Sequence, residues 1–105
     1  SGHYTLDACT ISQFEQQVRA ICNLPLGEVR LLSSAVMVNL IGNDLTKVTM
    51  EQDLKNLLHT PGAKLHVYGK RSIRPGRKMG HVTFLAEKAE QAWEAAVRLR
   101  QALKR

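Results

Sequence analysis

The nine residues Lys70-Arg71-Ser72-Ile73-Arg74-Pro75-Gly76-Arg77-Lys78 carry five cations and no acid. Like charges so close together repel one another, so this segment belongs at the surface. Before it, Lys64-Leu65-His66-Val67-Tyr68 alternates, with Leu65 and Val67 on one face and His66 and Tyr68 on the other; after it comes the apolar run His81-Val82-Thr83-Phe84-Leu85. Period-two alternation is the mark of a half-buried strand. The chain is therefore expected to build two strands joined by a basic loop at a sheet edge or sheet end. Pro75-Gly76 favours a turn that brings Arg74 and Arg77 towards one point. Gly69 and Gly80, at the two ends of the loop, are expected to let the backbone approach a ligand closely.

The remaining elements follow from local signals. Tyr4-Thr5-Leu6 reads as extended. Thr10 or Ser12 can cap a helix that carries Phe14, Val18 and Ile21 and ends near Asn23. The stretch Asn23-Leu24-Pro25-Leu26-Gly27 is a break, because the residue before proline avoids helical angles. A boundary is placed there, dividing residues 1–25 from 26–105. Val29–Leu32 and Ala35–Ile41 read as strands, the second apolar enough to be buried on both faces. Gly42-Asn43-Asp44 stops it. Thr49 and Gln52 fit a capping box opening a helix with Leu54, Leu57 and Leu58, which Pro61-Gly62 ends. Glu87–Lys104 is the clearest helix, with Ala89, Trp93, Ala96, Val97 and Leu103 as its stripe and Trp93 as its expected core anchor. The fold class is α+β.

A chain of 105 residues suits one compact unit. No apolar run reaches the roughly 20 residues of a membrane-spanning helix, and the start lacks the pattern of a secretory leader. It also lacks an initiator Met, which suggests a piece cut from something longer. Cys9 and Cys22, on or beside one helix, read as free thiols of a reducing compartment and as small core residues. With His3, His59, His66 and His81 they make no zinc spacing, so no metal is assigned. Of the net charge of +6, five units lie in the basic loop.

Arginine forks and lysine point charges that converge on one turn suit a phosphate. A solvated loop that discourages edge-to-edge strand pairing would carry the same charge, and charge alone leaves the two equal. An RNA or polyanion module is the alternative. It is disfavoured because none of the 1 Trp, 2 Tyr and 2 Phe lies in the basic segment to stack on bases. His3 and His81 are the histidines nearest these motifs, and either suits an acid, a base or a phosphate donor, although a lone histidine beside a strand is more often structural. The sequence holds no carboxylate pair, no nucleophile beside a base and no glycine-rich phosphate loop.

Four motifs in order carry a resemblance. Ser1-Gly2-His3-Tyr4-Thr5, Ser12-Gln13-Phe14-Glu15 with Leu24-Pro25-Leu26-Gly27, Met37–Gly42, and Tyr68-Gly69-Lys70 with Arg74–His81 resemble the C-terminal third of the 5-(carboxyamino)imidazole ribonucleotide synthase family. That family is also known as the ATPase subunit of phosphoribosylaminoimidazole carboxylase. The match runs to about residue 85. It implies a cytoplasmic ATP-grasp ligase of purine biosynthesis that joins bicarbonate to aminoimidazole ribonucleotide through carboxyphosphate. ATP and magnesium would serve the full-length enzyme, with none expected for this piece alone. Its partners would be those two substrates and the remainder of the enzyme, with a homodimer admitted and neither membrane nor nucleic acid. Residues 1–25 would be the tail of the ATP-grasp domain and 26–105 a small barrel-like domain with a mixed or antiparallel sheet and flanking helices. By the same resemblance Lys70 and Arg77 lie at the ribonucleotide 5'-phosphate with Lys78 close by. Arg74 matches the motif, Arg71 does not, and His3 sits at the edge of the catalytic cleft. The loop is expected to be mobile when empty.

Overall fold

In the computed structural model, which describes residues 2–104, the strand Lys78–Ala86 lies between two others and pairs antiparallel with both. Numbered in chain order, the elements are α1 (Thr5–Ala8), α2 (Gln13–Ile21), β1 (Ser34–Ile41), α3 (Asp44–Val48), α4 (Glu51–His59), β2 (Ala63–Val67), β3 (Lys78–Ala86) and α5 (Ala89–Leu103). The sheet order β1-β3-β2 is fixed by pairs such as Val38↔Val82 and Leu65↔Val82. The expected α+β class is what forms, with the sheet antiparallel throughout and open rather than closed on itself. Among the described residues no helix is long and apolar enough to cross a membrane.

Alternation along β3 decides what covers each face. Val82 and Phe84 turn towards α5, where Ala92, Ala95, Ala96 and Leu103 meet them together with Val38 and Leu40 of β1, Val48 of α3 and Leu57 of α4. Met79, His81 and Thr83 turn the other way and are buried as well. The positions between Lys78 and Leu85 are thus enclosed from both sides, and α1 lies against the second face.

Several local expectations give way to tertiary context. Tyr4-Thr5-Leu6 is helical: the Ala8 amide donates to the Tyr4 carbonyl at 3.0 Å, and the Thr5 hydroxyl accepts from the Gln13 amide at 2.9 Å. Val29–Leu32 forms no regular strand, only a bridge from Leu31 to Cys9. Thr49 does not cap α4. Its hydroxyl donates back to the Leu45 carbonyl at 2.8 Å and so closes α3, while Met50 takes the cap position. The short α3 was not anticipated; the Asp44 carboxylate opens it by accepting from the Ile41 amide at 3.1 Å. β1 is fully buried on one face only, at Val38 and Leu40, the side on which α5 packs. Val67, at the end of the other edge strand, is exposed.

Ser12 does cap α2, its hydroxyl accepting from the Glu15 amide at 3.0 Å, and Asn23 with φ 55° ends it. Yet Phe14, Val18 and Ile21 stay exposed. Cys22 is exposed too, so the core reading fails for that thiol. Trp93 is no core anchor: it is 63% exposed, whereas Ala92, Ala95 and Ala96 face the sheet. Small residues let the α5 backbone lie close to β1 and β3, and that approach leaves no room for an indole.

This assignment predicts a sharp contrast in equilibrium denaturation. Phe84→Ala should cost about 3–5 kcal/mol through lost burial and the cavity left behind. Trp93→Ala should stay within about 0.5 kcal/mol. Comparable losses at the two positions would show that α5 presents a different face.

Candidate functional site

The basic loop leaves β2 in a defined way. The Tyr68 amide donates to the Met79 carbonyl at 3.1 Å, continuing the ladder one step, and Gly69 then takes φ 73°, a region side-chain-bearing residues rarely adopt. The Pro75-Gly76 turn is closed by the Arg77 amide on the Arg74 carbonyl at 3.1 Å, as the sequence suggested. The Gly42 amide donates to the Arg77 carbonyl at 2.8 Å and ties the loop to the end of β1. Gly80 serves a different end from the one expected. A Cβ there would stand 2.5 Å from the His66 carbonyl oxygen, so it is the approach of β2 to β3, not of a ligand, that excludes a side chain.

The loop cations differ in how they are held. The Lys70 ammonium donates to the Lys78 carbonyl and lies 5.7 Å from the Tyr68 ring centre. The half-buried Arg77 donates from Nη1 to the Ser72 carbonyl at 3.1 Å and to its hydroxyl at 3.2 Å. Arg71, Arg74 and Lys78 are exposed. Among the described residues, no carboxylate forms an ion pair with any of the five.

Behind the loop the fold gathers side chains that no sequence spacing announced. His66 and His81 stand opposite each other on β2 and β3, and their rings stack at 4.7 Å with planes 20° apart. His66 Nε2 donates to Asp7 Oδ2 of α1 at 2.6 Å, and His81 Nδ1 is hydrogen-bonded to the Tyr68 hydroxyl at 2.8 Å. His3 lies against Phe14, Tyr68 and His81 with ring centres 5.0, 5.2 and 5.3 Å away. Thus His3 and His81 do come together beside the loop, joined by His66 and Asp7, which the sequence had not singled out. Asp7, His66 and His81 each offer a ligand atom within 4.8 Å of the others. Asp7 stands 59 positions before His66, so no local ligand spacing announces this set. A groove of about 270 Å³ lined by Lys47, Leu57, Phe84 and Leu99 holds none of these residues and opens on the α5 side of the sheet.

Burial sets the electrostatics. His81 has no exposed surface, and desolvation drops its pKa from 6.5 to about 4. The neighbouring His66 and His3 push in the same direction and Asp7 opposes them. The ring is therefore neutral at physiological pH, with its buried Nε2 unpartnered. Burial also pushes the Tyr68 phenol above its usual range, so it stays protonated.

Residues 35–95 match the phosphoribosylaminoimidazole carboxylase C-terminal domain family. The N5-carboxyaminoimidazole ribonucleotide synthase of Bacillus subtilis is 50% identical over 93 residues, covering 89% of this chain and 23% of its own length. The solved N5-carboxyaminoimidazole ribonucleotide synthetase from Thermotoga maritima superposes with a TM-score of 0.84 at 46% identity, over 97% of this chain and 29% of that one. The N5-carboxyaminoimidazole synthase from Aspergillus clavatus, solved in complex with ADP and 5-aminoimidazole ribonucleotide, gives a TM-score of 0.85 at 33% identity over 100% of this chain and 28% of that one. The chain thus spans about a quarter of the length of its relatives.

The neutral His81 makes stability pH-dependent. Its folded pKa of about 4 lies below the ordinary 6.5, so the unfolded chain binds more protons between those values. Stability should then fall as pH drops from about 6.5 towards 4, by roughly 2–4 kcal/mol in all. Denaturation followed across that window should show the slope, and His81→Gln should flatten it. An unchanged slope in the variant would assign it to other groups.

Proposed function

The chain belongs to the phosphoribosylaminoimidazole carboxylase C-terminal domain family, and from that premise we propose that it is the C-terminal part of an ATP-dependent ligase of purine biosynthesis, which carboxylates aminoimidazole ribonucleotide with bicarbonate. Its contribution is the clamp for the substrate 5'-phosphate. The observation that carries this reading is a turn-bound set of cations without carboxylate partners, framed by backbone bonds to both neighbouring strands.

Each loop residue has a task in this reading. Arg77 is held by Ser72 through one terminal nitrogen, which leaves another edge of the guanidinium to fork onto two phosphate oxygens. Lys70 and Lys78 add point charges at the base of β3. Arg74 reaches from the far side of the turn, and Arg71 is a surface charge. Holding the phosphate would orient the ribonucleotide amine towards the bicarbonate-derived carbon of carboxyphosphate, where the new C–N bond forms as the C–O bond to phosphate breaks, inorganic phosphate leaves and the amine gives up a proton. His3, beside Tyr68 and Phe14, sits at the edge of that cleft.

ATP supplies the driving force when bound to the whole enzyme. Asp7, His66 and His81 form a nitrogen-rich set, whereas magnesium takes oxygen donors, so magnesium and nucleotide belong to the remainder of the ligase. Residues 1–25 would be the tail of its ATP-grasp domain. The exposed apolar side chains of Phe14, Val18, Ile21 and Leu24 support this, since such a surface calls for cover. A purine-pathway ligase of this kind would work in the cytoplasm.

Calorimetry with the ribonucleotide on the full-length enzyme tests the clamp. Arg77→Ala should weaken binding about tenfold to a hundredfold, the loss of a charge-assisted contact of about 1.5–3 kcal/mol. Unchanged affinity would remove Arg77 from the site. Salt-sensitive binding of long RNA with indifference to the ribonucleotide would favour a polyanion module instead.

A further inference from the structure

The geometry points to Tyr68 as a positioning residue that sets the loop cation Lys70 and is itself held by the file of side chains Asp7, His66 and His81. This rests on the phosphate reading of the loop and adds to it the part that aims the lysine.

Lys70 has little backbone guidance. It follows Gly69, whose φ of 73° turns the chain out of the sheet and where a side chain would meet only open space. Two contacts locate its ammonium: the Lys78 carbonyl, and the face of the Tyr68 ring at 5.7 Å. A ligand phosphate would compete for the same ammonium protons as that carbonyl. The aromatic face asks for no proton and attracts the cation through its quadrupole, so it can keep the ammonium in place while the acceptor changes. The Tyr68 ring can do this only if its own tilt is fixed.

The file behind it fixes that tilt. The Tyr68 hydroxyl is bonded to His81 Nδ1 at 2.8 Å, on a strand buried from both sides. His81 is stacked on His66, which Asp7 of α1 anchors at 2.6 Å. With its hydroxyl bonded and the His3 and His81 rings packed beside it at 5.2 and 5.7 Å, the Tyr68 ring loses freedom about χ1 and χ2 before any ligand arrives. A role in packing alone does not explain the arrangement. Leucine or phenylalanine at position 81 would fill the same space without leaving Nε2 buried and unpartnered.

A double-mutant cycle on the full-length ligase tests the idea, with KM for the ribonucleotide as the readout and the melting temperature recorded beside it. Tyr68→Phe keeps the ring and removes its anchor; it should raise KM about threefold to tenfold with kcat and the KM for ATP within about twofold. His66→Gln, acting through His81, should move KM in the same direction. In a Lys70→Ala background both effects should vanish, because there is no ammonium left to aim. Effects that persist undiminished in that background, or an unmoved KM in both single variants while Arg77→Ala still weakens binding, would overturn the positioning role and leave the phosphate clamp standing. A silent Arg77→Ala would sink the clamp and this proposal with it.

Discussion

Everything here depends on β3 being paired along both edges and covered on both faces. A strand in that position cannot move without breaking two ladders, so it is the natural place to fix chemistry. It also divides the domain into an apolar side, where Val82 and Phe84 meet the alanines of α5, and an opposite side, where the polar His81 and Thr83 are buried. That side is costly. Among the described residues Thr83 Oγ1 and His81 Nε2 are buried without hydrogen-bond partners, and each such group gives up solvation at a cost. The apolar side offsets that loss, and the division of labour between faces follows from the two-residue period of the strand.

The same strand explains why five neighbouring cations can share one short loop. Their repulsion would spread a free segment. Here the Tyr68 and Gly42 amides hold its two ends to β3 and to the end of β1, and the Arg77 amide closes the turn between them. The repulsion is met by covalent and backbone constraint during folding rather than by counter-charges, which leaves the charges available. Backbone ties of this kind limit how far the loop can spread, and so lower the entropy that an anion would otherwise have to overcome.

What the sequence made legible was whatever depends on near neighbours: the two strands flanking the basic loop, the Ser12 cap, the Pro75-Gly76 turn, the long terminal helix. What it hid depends on partners far along the chain. Helical periodicity in Glu87–Lys104 could not say which face would meet the sheet, and the bulkiest residue, Trp93, was the wrong choice because close approach favours alanine. In α2 the apolar residues sit at helical spacing as read, but within the described residues Val18 and Ile21 stay largely uncovered and Phe14 meets only part of its cover in the His3 ring. Asp7, His66 and His81 come from a helical turn and two strands, so no motif could carry them. The only hint was an alternation that placed His66 and Tyr68 together on the face opposite Leu65.

That hint shows why loop and histidine file are one device. Lys78 and His81 are three positions apart on a strand whose backbone both contacts share: Lys78 offers its carbonyl to Lys70, and His81 its ring to Tyr68. Lys70 and Tyr68 are in turn two positions apart on the neighbouring strand's extension. Three side chains and one backbone carbonyl on two paired segments therefore form a closed circuit, Lys70 to the Lys78 carbonyl along one hydrogen bond, Tyr68 to His81 along another, with the ring face of Tyr68 beneath the ammonium. A closed circuit resists distortion better than separate contacts, since displacing any member strains the other links. Asp7 extends it to α1, the element that follows the His3 motif, and so couples the basic loop to the segment that, in the proposed reading, would enter the rest of a ligase.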